Sequence, residues 1–468
     1  MITGTNPQTE TLSVSRSLQE KSLADFWRIP AETKREILLQ AVMKSHADHY
    51  ARNTAYRSAM VARKVSPIIT INEIGRLLRT TSILFKSYID LLGSPFPQDT
   101  PISFLEWLQD QISVTLPPER FKLFRKSYPT LEALLSDFER IYSDFGFEIL
   151  TSSGTSGRVS IMLRNQGGIQ RTVESFYLAF QRYLGMQADH RAIFIMPRQT
   201  RIAMVRMASF SVKRIGLPSD HIHFTIPFPA SPDHVRIRSG RTYRADWRGQ
   251  IECKLWNPLM NWANDAVVTP YAMKKTMELL QQAEARQEKV LAFGSWIHLH
   301  GIALYLKSNS QKLRLAPGSL LGTGGGFKEL YPYSIEEIRQ DISQSIHYPD
   351  GRAVMLRDVY GMAEGNWAAM QCMEGNYHIP PWVFAVTLDQ NDHIQKENDS
   401  HGLLAFFDPY GGGELFPAFY KTADHVHLIS DSFSNAASCP CGEPGAYILR
   451  SSIQRIDLMD EAGCAAQI

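Results

Sequence analysis

A chain of 468 residues, 44% hydrophobic and 21% charged, is long enough to bury a large core and too apolar for an intrinsically disordered protein; its length suits two or three domains. A formal net charge of +2 speaks against a polycationic stripe, so nucleic acid and anionic membrane are not expected partners. Met1 to Glu20 is polar and lacks a signal peptide's apolar core, which points to the cytoplasm. No apolar run reaches membrane-spanning length, because the nearest, Val290 to Leu306, carries Ser295, His298 and His300 and reads as a buried segment.

In chain order, the first part reads as helices. Lys34 to Met43 places apolar residues at helical spacing between charges, and Leu131 to Tyr142 repeats the pattern after Pro129-Thr130, a helix start. The Pro-rich piece Gly93 to Pro101 reads as a surface loop between two helical runs. From Phe147 onward, strand-like and helical runs alternate. Arg191 to Met196 and Lys289 to Phe293 read as strands and Tyr271 to Arg286 as a helix, which predicts an α/β core with a largely parallel sheet. Arg236, Arg238, Arg241, Arg244 and Arg248 around Ser239-Gly240 read as a basic, hairpin-like insertion with a solvated face. The expected organisation is a mainly helical N-terminal region over 1–140, an α/β core over 141–430 and a short C-terminal segment over 431–468.

Several stretches carry chemistry. Ser152-Ser153-Gly154-Thr155-Ser156-Gly157-Arg158 follows the strand Phe147 to Leu150; its glycines and hydroxyls suit a phosphate loop, with an ordinary surface turn as the other reading. No Lys follows the last glycine, so it is not a Walker loop. Gly324-Gly325-Gly326 would let a planar ring or a phosphate lie against bare backbone. Glu364 follows the turn after Tyr360-Gly361, where a carboxylate could hold Mg²⁺. Asp424 precedes the alternating strand His425 to Ile429 and suits a ribose-hydroxyl acceptor. His425 and His427 share one face of that strand without a third ligand in view. The five cysteines are thinly spread and read as reduced thiols. Cys439-Pro-Cys441 resembles half of a metal knuckle, but no second Cys pair follows, and it reads as a tight turn.

Taken together, four pieces resemble the motifs of adenylate-forming enzymes in order and spacing. The run Ser152 to Gly157 is similar to their S-G-T-T-G phosphate loop and Gly324 to Gly326 to the adenine-side glycines. Tyr360-Gly-Met-Ala-Glu364 is similar to Y-G-x-T-E, and Tyr420-Lys-Thr-Ala-Asp424 to Y-[RK]-T-G-D. Within that superfamily the chain resembles the acyl-protein synthetase (LuxE) group and the related phenylacetate–CoA ligases. The carriers are Ser82 to Tyr88, Phe293-Gly-Ser-Trp296, Gly324 to Lys328 and Cys439-Pro-Cys-Gly442, and the resemblance spans roughly residues 75 to 450.

The resemblance implies the large-domain α/β fold of these enzymes, with a truncated C-terminal part, and a two-step chemistry. A carboxylate attacks the α-phosphate of ATP, and the acyl-adenylate passes to a thiol. On this reading Ser153, Thr155 and Ser156 cradle the β- and γ-phosphates, Glu364 holds Mg²⁺, Asp424 binds the ribose, and Tyr360 stacks on adenine against Gly324 to Gly326. Lys328 stands in for the catalytic Lys of a C-terminal domain. Phe293, Trp296, His298 and Phe327 bound the acid, plain core packing being the other reading for them. The acceptor the resemblance implies is Cys464; an acyl-carrier phosphopantetheine or CoA is equally compatible, and an acyl-carrier or reductase would be the partner protein.

Three departures qualify that expectation. Ala363 and Ala423 replace the usual Thr and Gly. Cys441-Gly-Glu443 stands where C-G-R is common, so the ribose-side cation must come from Arg450 or Arg455. Only a short stretch follows Arg450. An amide-forming ligase of the same fold and a catalytically degenerate nucleotide- or acyl-binding protein are the two rival readings.

Overall fold

The computed structural model describes residues 22–88, 101–152, 159–238, 240, 247–325, 331–411, 415–433 and 438–456. The expected surface loop before Pro101 lies outside them. The N-terminal helices form as their sequence predicts. Thr130 Oγ1 accepts from the Ala133 N–H at 3.1 Å, capping Leu131–Ile141, whose Leu131, Leu134, Leu135 and Phe138 are buried. The helix Ala31–Arg52 buries Leu38, Leu39 and Val42. Its Lys34 Nζ meets Asp431 Oδ2 at 2.7 Å, which ties the start of the chain to its last third.

Among the described residues there are seventeen strands, numbered in chain order. They are β1 (Arg79–Thr80), β2 (Glu148–Thr151), β3 (Ile161–Arg164), β4 (Arg191–Pro197), β5 (Ile222–Ile226), β6 (Val290–Gly294), β7 (Leu313–Arg314), β8 (Leu320–Gly324), β9 (Ile346–His347), β10 (Met355–Gly361), β11 (Ala368–Gln371), β12 (Tyr377–His378), β13 (Phe384–Leu388), β14 (Asp399–Asp408), β15 (Ala418–Ile429), β16 (Tyr447–Ile448) and β17 (Gln454–Arg455). The main sheet runs β13-β14-β15-β16-β12-β11-β10-β8-β6-β4-β5, with β1 and β17 paired to β15.

The expectation of a largely parallel sheet needs correction. Strands β5, β4, β6, β8 and β10 are parallel, whereas β10 through β11, β12, β16, β15 and β14 to β13 is antiparallel throughout. The physical reason lies in the connections. Helices cross between the parallel strands, but short turns join β10 to β11 and β11 to β12, and only antiparallel neighbours can be joined that way. Strand β16, beyond residue 431, sits inside this sheet between β15 and β12.

The segment Val290 to Leu306 is buried as expected, and it divides into β6 and the helix Trp296–Ser308. At the basic insertion Arg236 and Arg238 lie on the helix Pro232–Arg238, which packs against the helix Trp247–Ala263 that carries Arg248, while Ser239, Arg241 and Arg244 lie outside the described residues. Arg236 is not solvated, being buried beside Asp233 and Glu252. Among the described residues no helix is long and apolar enough to cross a membrane.

Candidate active site

The hydroxyl-rich loop is a hairpin loop. Strands β2 and β3 pair antiparallel as a separate two-stranded sheet, with Thr151 opposite Ile161. Ser152 closes its base: its Oγ accepts from the Ser160 N–H at 2.8 Å, and its own N–H donates to the Ser160 carbonyl at 3.1 Å. Ser153, Gly154, Thr155, Ser156, Gly157 and Arg158 lie outside the described residues. The helix Thr81–Lys86 packs against the β15 side, with Phe85 edge-on to Phe416 and Tyr420, and just beyond it the Tyr88 hydroxyl donates to the Val159 carbonyl of the hairpin loop at 3.2 Å.

Glu364 meets the hairpin directly. Strand β10 ends at Gly361, Gly365 N–H donates to the Met362 carbonyl at 3.2 Å to close a tight turn, and Glu364 is carried on that turn. Its Oε1 accepts from the Ser160 hydroxyl at 2.5 Å, and Arg164 Nη2 donates to its backbone carbonyl at 3.2 Å. The carboxylate, largely buried, therefore stands at the root of the loop. A carboxylate beside hydroxyl oxygens is a donor set suited to Mg²⁺, a hard cation that takes oxygen ligands.

Asp424 reaches the same strand end from the other half of the sheet. The Tyr360 hydroxyl donates to Asp424 Oδ2 at 2.7 Å. Burial first, and then the adjacent Asp424 charge, hold the Tyr360 hydroxyl protonated well above its ordinary range. Asp424 lies within β15 rather than ahead of a strand, and Arg455 of β17 stands opposite it in register. Arg450 is elsewhere: its backbone N–H donates to Asn376 Oδ1, and its side chain lies along Gly375. Of the two arginines considered, the structure brings Arg455 to Asp424.

The glycines at the end of β8 lie beside β10, with Gly324 opposite Val359. Gly325 has φ +89°, a conformation that side-chained residues rarely adopt. Gly326, Phe327 and Lys328 lie outside the described residues, as does Cys464. Phe293 is buried on one side of the sheet, where a Cβ at Gly322 would sit 2.4 Å from its ring. Trp296 packs in a different core cluster under the Arg339 guanidinium, 4.9 Å from its ring. His298 caps its own helix: its N–H donates to Ser295 Oγ at 3.3 Å, while its Nδ1 accepts from the Ser295 N–H at 3.4 Å.

A polar layer that the sequence reading missed lies beneath these groups. Arg164, at the end of β3, is buried with its guanidinium 4.6 Å from the Phe416 ring, and burial lowers its pKa to about 10. Asp408 is buried nearby, accepting from the Tyr410 N–H at 3.2 Å, and burial raises its pKa to about 7 against the pull of Arg171 and Arg164. Thr172 Oγ1 shares a hydrogen bond with Asn366 Oδ1 at 3.0 Å. Arg164 Nε and Nη1, Asn366 Nδ2, Trp367 Nε1 and the Tyr420 hydroxyl have no protein partner among the described residues. Buried polar atoms of this kind require a partner such as water or a polar ligand. The one available signal was a charged residue closing the otherwise apolar strand Ile161–Arg164.

Residues 262–468 match the sequence model of the acyl-protein synthetase, LuxE, family. Residues 262–468 are LuxE-like. A curated relative, the long-chain-fatty-acid–luciferin-component ligase of Aliivibrio fischeri, is 23% identical over 194 residues, which is 41% of this chain and 48% of that protein. The chain thus matches about half the length of this relative. Solved structures of 2-hydroxyisobutyryl-CoA ligase share the fold. One is an open conformation with 2-HIB-AMP and CoA (TM-score 0.51, 12% identity, 92% of this chain and 76% of that one). Another is in the thioesterification state (TM-score 0.54, 11% identity, 92% and 69%). The LuxE-like part contains Glu364, Tyr360, Asp424 and the Gly324-Gly325 pair, while the β2–β3 hairpin precedes it.

Proposed function

We propose that this protein activates a carboxylic acid with ATP and Mg²⁺ to form an acyl-adenylate, then transfers the acyl group to a thiol. The observation that carries the reading is the convergence of Glu364, Tyr360 and Asp424 at one end of β10, with Glu364 bonded to the root of the phosphate-loop hairpin. In open sheets of this kind, ligands bind outside the carboxyl ends of the parallel strands. In the first step a carboxylate oxygen bonds to the α-phosphorus as the bond to pyrophosphate breaks. No proton moves, so the protein's part is charge neutralisation and in-line positioning. Asp424, held by the Tyr360 hydroxyl, would accept the ribose hydroxyls, with Arg455 on its other side. Tyr360 and Gly324-Gly325 would border the adenine. Glu364 would hold Mg²⁺, which when bound neutralises phosphate charge. Residues 153 to 157 would wrap the β- and γ-phosphates, and Lys328 would supply a cation at the transferred phosphoryl group.

In the second step a thiolate bonds to the acyl carbon, AMP leaves, and the thiol proton goes to solvent. Cys464 is our assignment for that thiol, with a carrier's phosphopantetheine or CoA as the other acceptors. The name of the Aliivibrio fischeri relative supports a fatty acid, for which Phe293, Trp296, His298 and Phe327 remain the bounding residues of this reading. Dependence on ATP fits a cytoplasmic enzyme, and a reductase or acyl carrier is the partner chemistry that would take the acyl group onward.

The reading is tested by incubating the protein with ATP, Mg²⁺ and a labelled fatty acid, then measuring acyl-AMP by mass spectrometry. Glu364→Gln should lower acyl-AMP formation about a hundredfold or more while leaving the circular dichroism spectrum unchanged. Unchanged formation in that variant contradicts the metal assignment. Product formed with amines and independent of every cysteine would transfer the reading to an amide-forming ligase, and ATP binding without acyl-AMP would favour a degenerate binding protein.

A further inference from the structure

The tight turn at Cys439-Pro-Cys-Gly442 forms as its sequence predicts, with the Gly442 N–H donating to the Cys439 carbonyl at 2.9 Å and Gly442 at φ +90°. What the sequence concealed is its surroundings. The turn faces the β11–β12 hairpin, which presents Cys372 and His378, and the four ligand atoms of Cys372, His378, Cys439 and Cys441 all lie within 4.8 Å of one another. No second Cys pair follows the turn because the missing half precedes it by some sixty residues and mixes one Cys with one His.

We propose that Cys372, His378, Cys439 and Cys441 bind a single zinc ion in a closed, tetrahedral, structural site. The spacing fits this closely. Tetrahedral zinc, with Zn–S near 2.3 Å and Zn–N near 2.0–2.1 Å, sets ligand-to-ligand edges of about 3.8 Å between sulfurs and about 3.6 Å between sulfur and nitrogen. Here Cys372 Sγ and Cys439 Sγ are 3.9 Å apart, and Cys441 Sγ and His378 Nε2 are 3.4 Å apart. The first distance is far beyond the ~2.05 Å of a disulfide, and both cysteines are free.

The supporting contacts are those of a thiolate site. Asn376 Nδ2 donates to Cys439 Sγ at 3.3 Å, an interaction that stabilises charge on sulfur. The His378 ring is held between two tyrosines, stacked on Tyr183 at 5.1 Å and 21° and tilted against Tyr447 at 5.8 Å and 31°. Three soft sulfurs and one imidazole select zinc over magnesium or calcium. Four protein ligands leave no open coordination position, which marks the site as structural rather than catalytic.

Its place in the fold gives the metal a role. The β11–β12 hairpin follows the Tyr360–Glu364 turn of β10, and the 438–450 segment leads into β17, which sets Arg455 opposite Asp424. His378 also pairs in register with Tyr447 through β12 and β16. Zinc would clamp these two segments together and so fix the ribose side of the site from outside it.

The test is independent of activity. The full chain is purified under reducing conditions and its metal content measured by elemental analysis; about one zinc per chain is expected. Replacement by Co²⁺ should produce sulfur-to-cobalt charge-transfer absorption with the intense visible bands of tetrahedral coordination. Cys441→Ser should weaken metal binding, whereas Cys253→Ser, away from the site, should retain it. If Cys441→Ser fails to fold, the Co²⁺ spectrum of the unaltered chain decides. Folded, reduced protein that takes up neither zinc nor cobalt stoichiometrically overturns the proposal, as would stoichiometric iron in zinc's place or metal lost equally in Cys253→Ser.

Discussion

At the scale of single residues, the site depends on buried charge that is only partly compensated. Asp408 shows this most clearly: burial raises its pKa to about 7 in the folded chain, against an ordinary value of 3.8. A carboxyl whose folded pKa exceeds its unfolded one binds its proton more tightly in the native state. Its contribution to stability is therefore full below the unfolded pKa and is lost as pH rises through the folded one. Stability should fall between about pH 4 and pH 7 through this group, and Asp408→Asn should flatten that part of the profile. Urea denaturation midpoints measured across this range check the prediction; an unchanged slope in the variant contradicts it. Glu364 and Asp424 could be singled out in the sequence because each sits in a short ordered motif. Arg164, Asn366 and Asp408 were not, because no local pattern reveals that residues two hundred positions apart share one buried layer.

At the scale of elements, helix and strand positions were legible wherever capping and periodicity agreed. Leu131–Ile141 behind its Thr130 cap, β4, β6 and Thr269–Arg286 all stand within a few residues of where the pattern placed them. Strand direction was not legible, since an apolar run reads alike in parallel and antiparallel sheets. The two histidines of β15 show the same limit: His427 faces His401 and Asp399, its Nε2 2.6 Å from Asp399 Oδ1, because the neighbouring strand supplies the partners that its own strand does not. Packing between elements also explains one glycine. The ring of Phe293 on β6 occupies the space above Gly322 on β8. Gly322→Ala should therefore force a shift of a buried ring and destabilise the fold by about 1–3 kcal/mol, read as a lower urea midpoint with an unchanged slope. An unaltered midpoint would show that the ring yields freely.

At the scale of the whole molecule, the sheet joins two halves that carry different parts of the proposed reaction. The parallel half, with the hairpin β2–β3 beside it, brings the root of the hydroxyl-rich loop, Gly324-Gly325 and Glu364; the antiparallel half brings Asp424 and Arg455. Tyr360 bonds one to the other, and the cysteine and histidine cluster joins the β11–β12 hairpin to the turn before β16 within the antiparallel half. The chain's resemblance to adenylate-forming enzymes was visible because its motifs keep their order along the sequence, and the shared fold agrees with it. The acceptor and the acid were not visible, since both depend on surfaces that short motifs do not encode. The most direct measurement is carboxylate-dependent exchange of labelled pyrophosphate into ATP, with Mg²⁺, a panel of fatty and aromatic acids, and no acceptor. The account predicts exchange with one class of acid, fatty acids first, and none without an acid. Folded protein that binds ATP yet exchanges with no acid in the panel would contradict it.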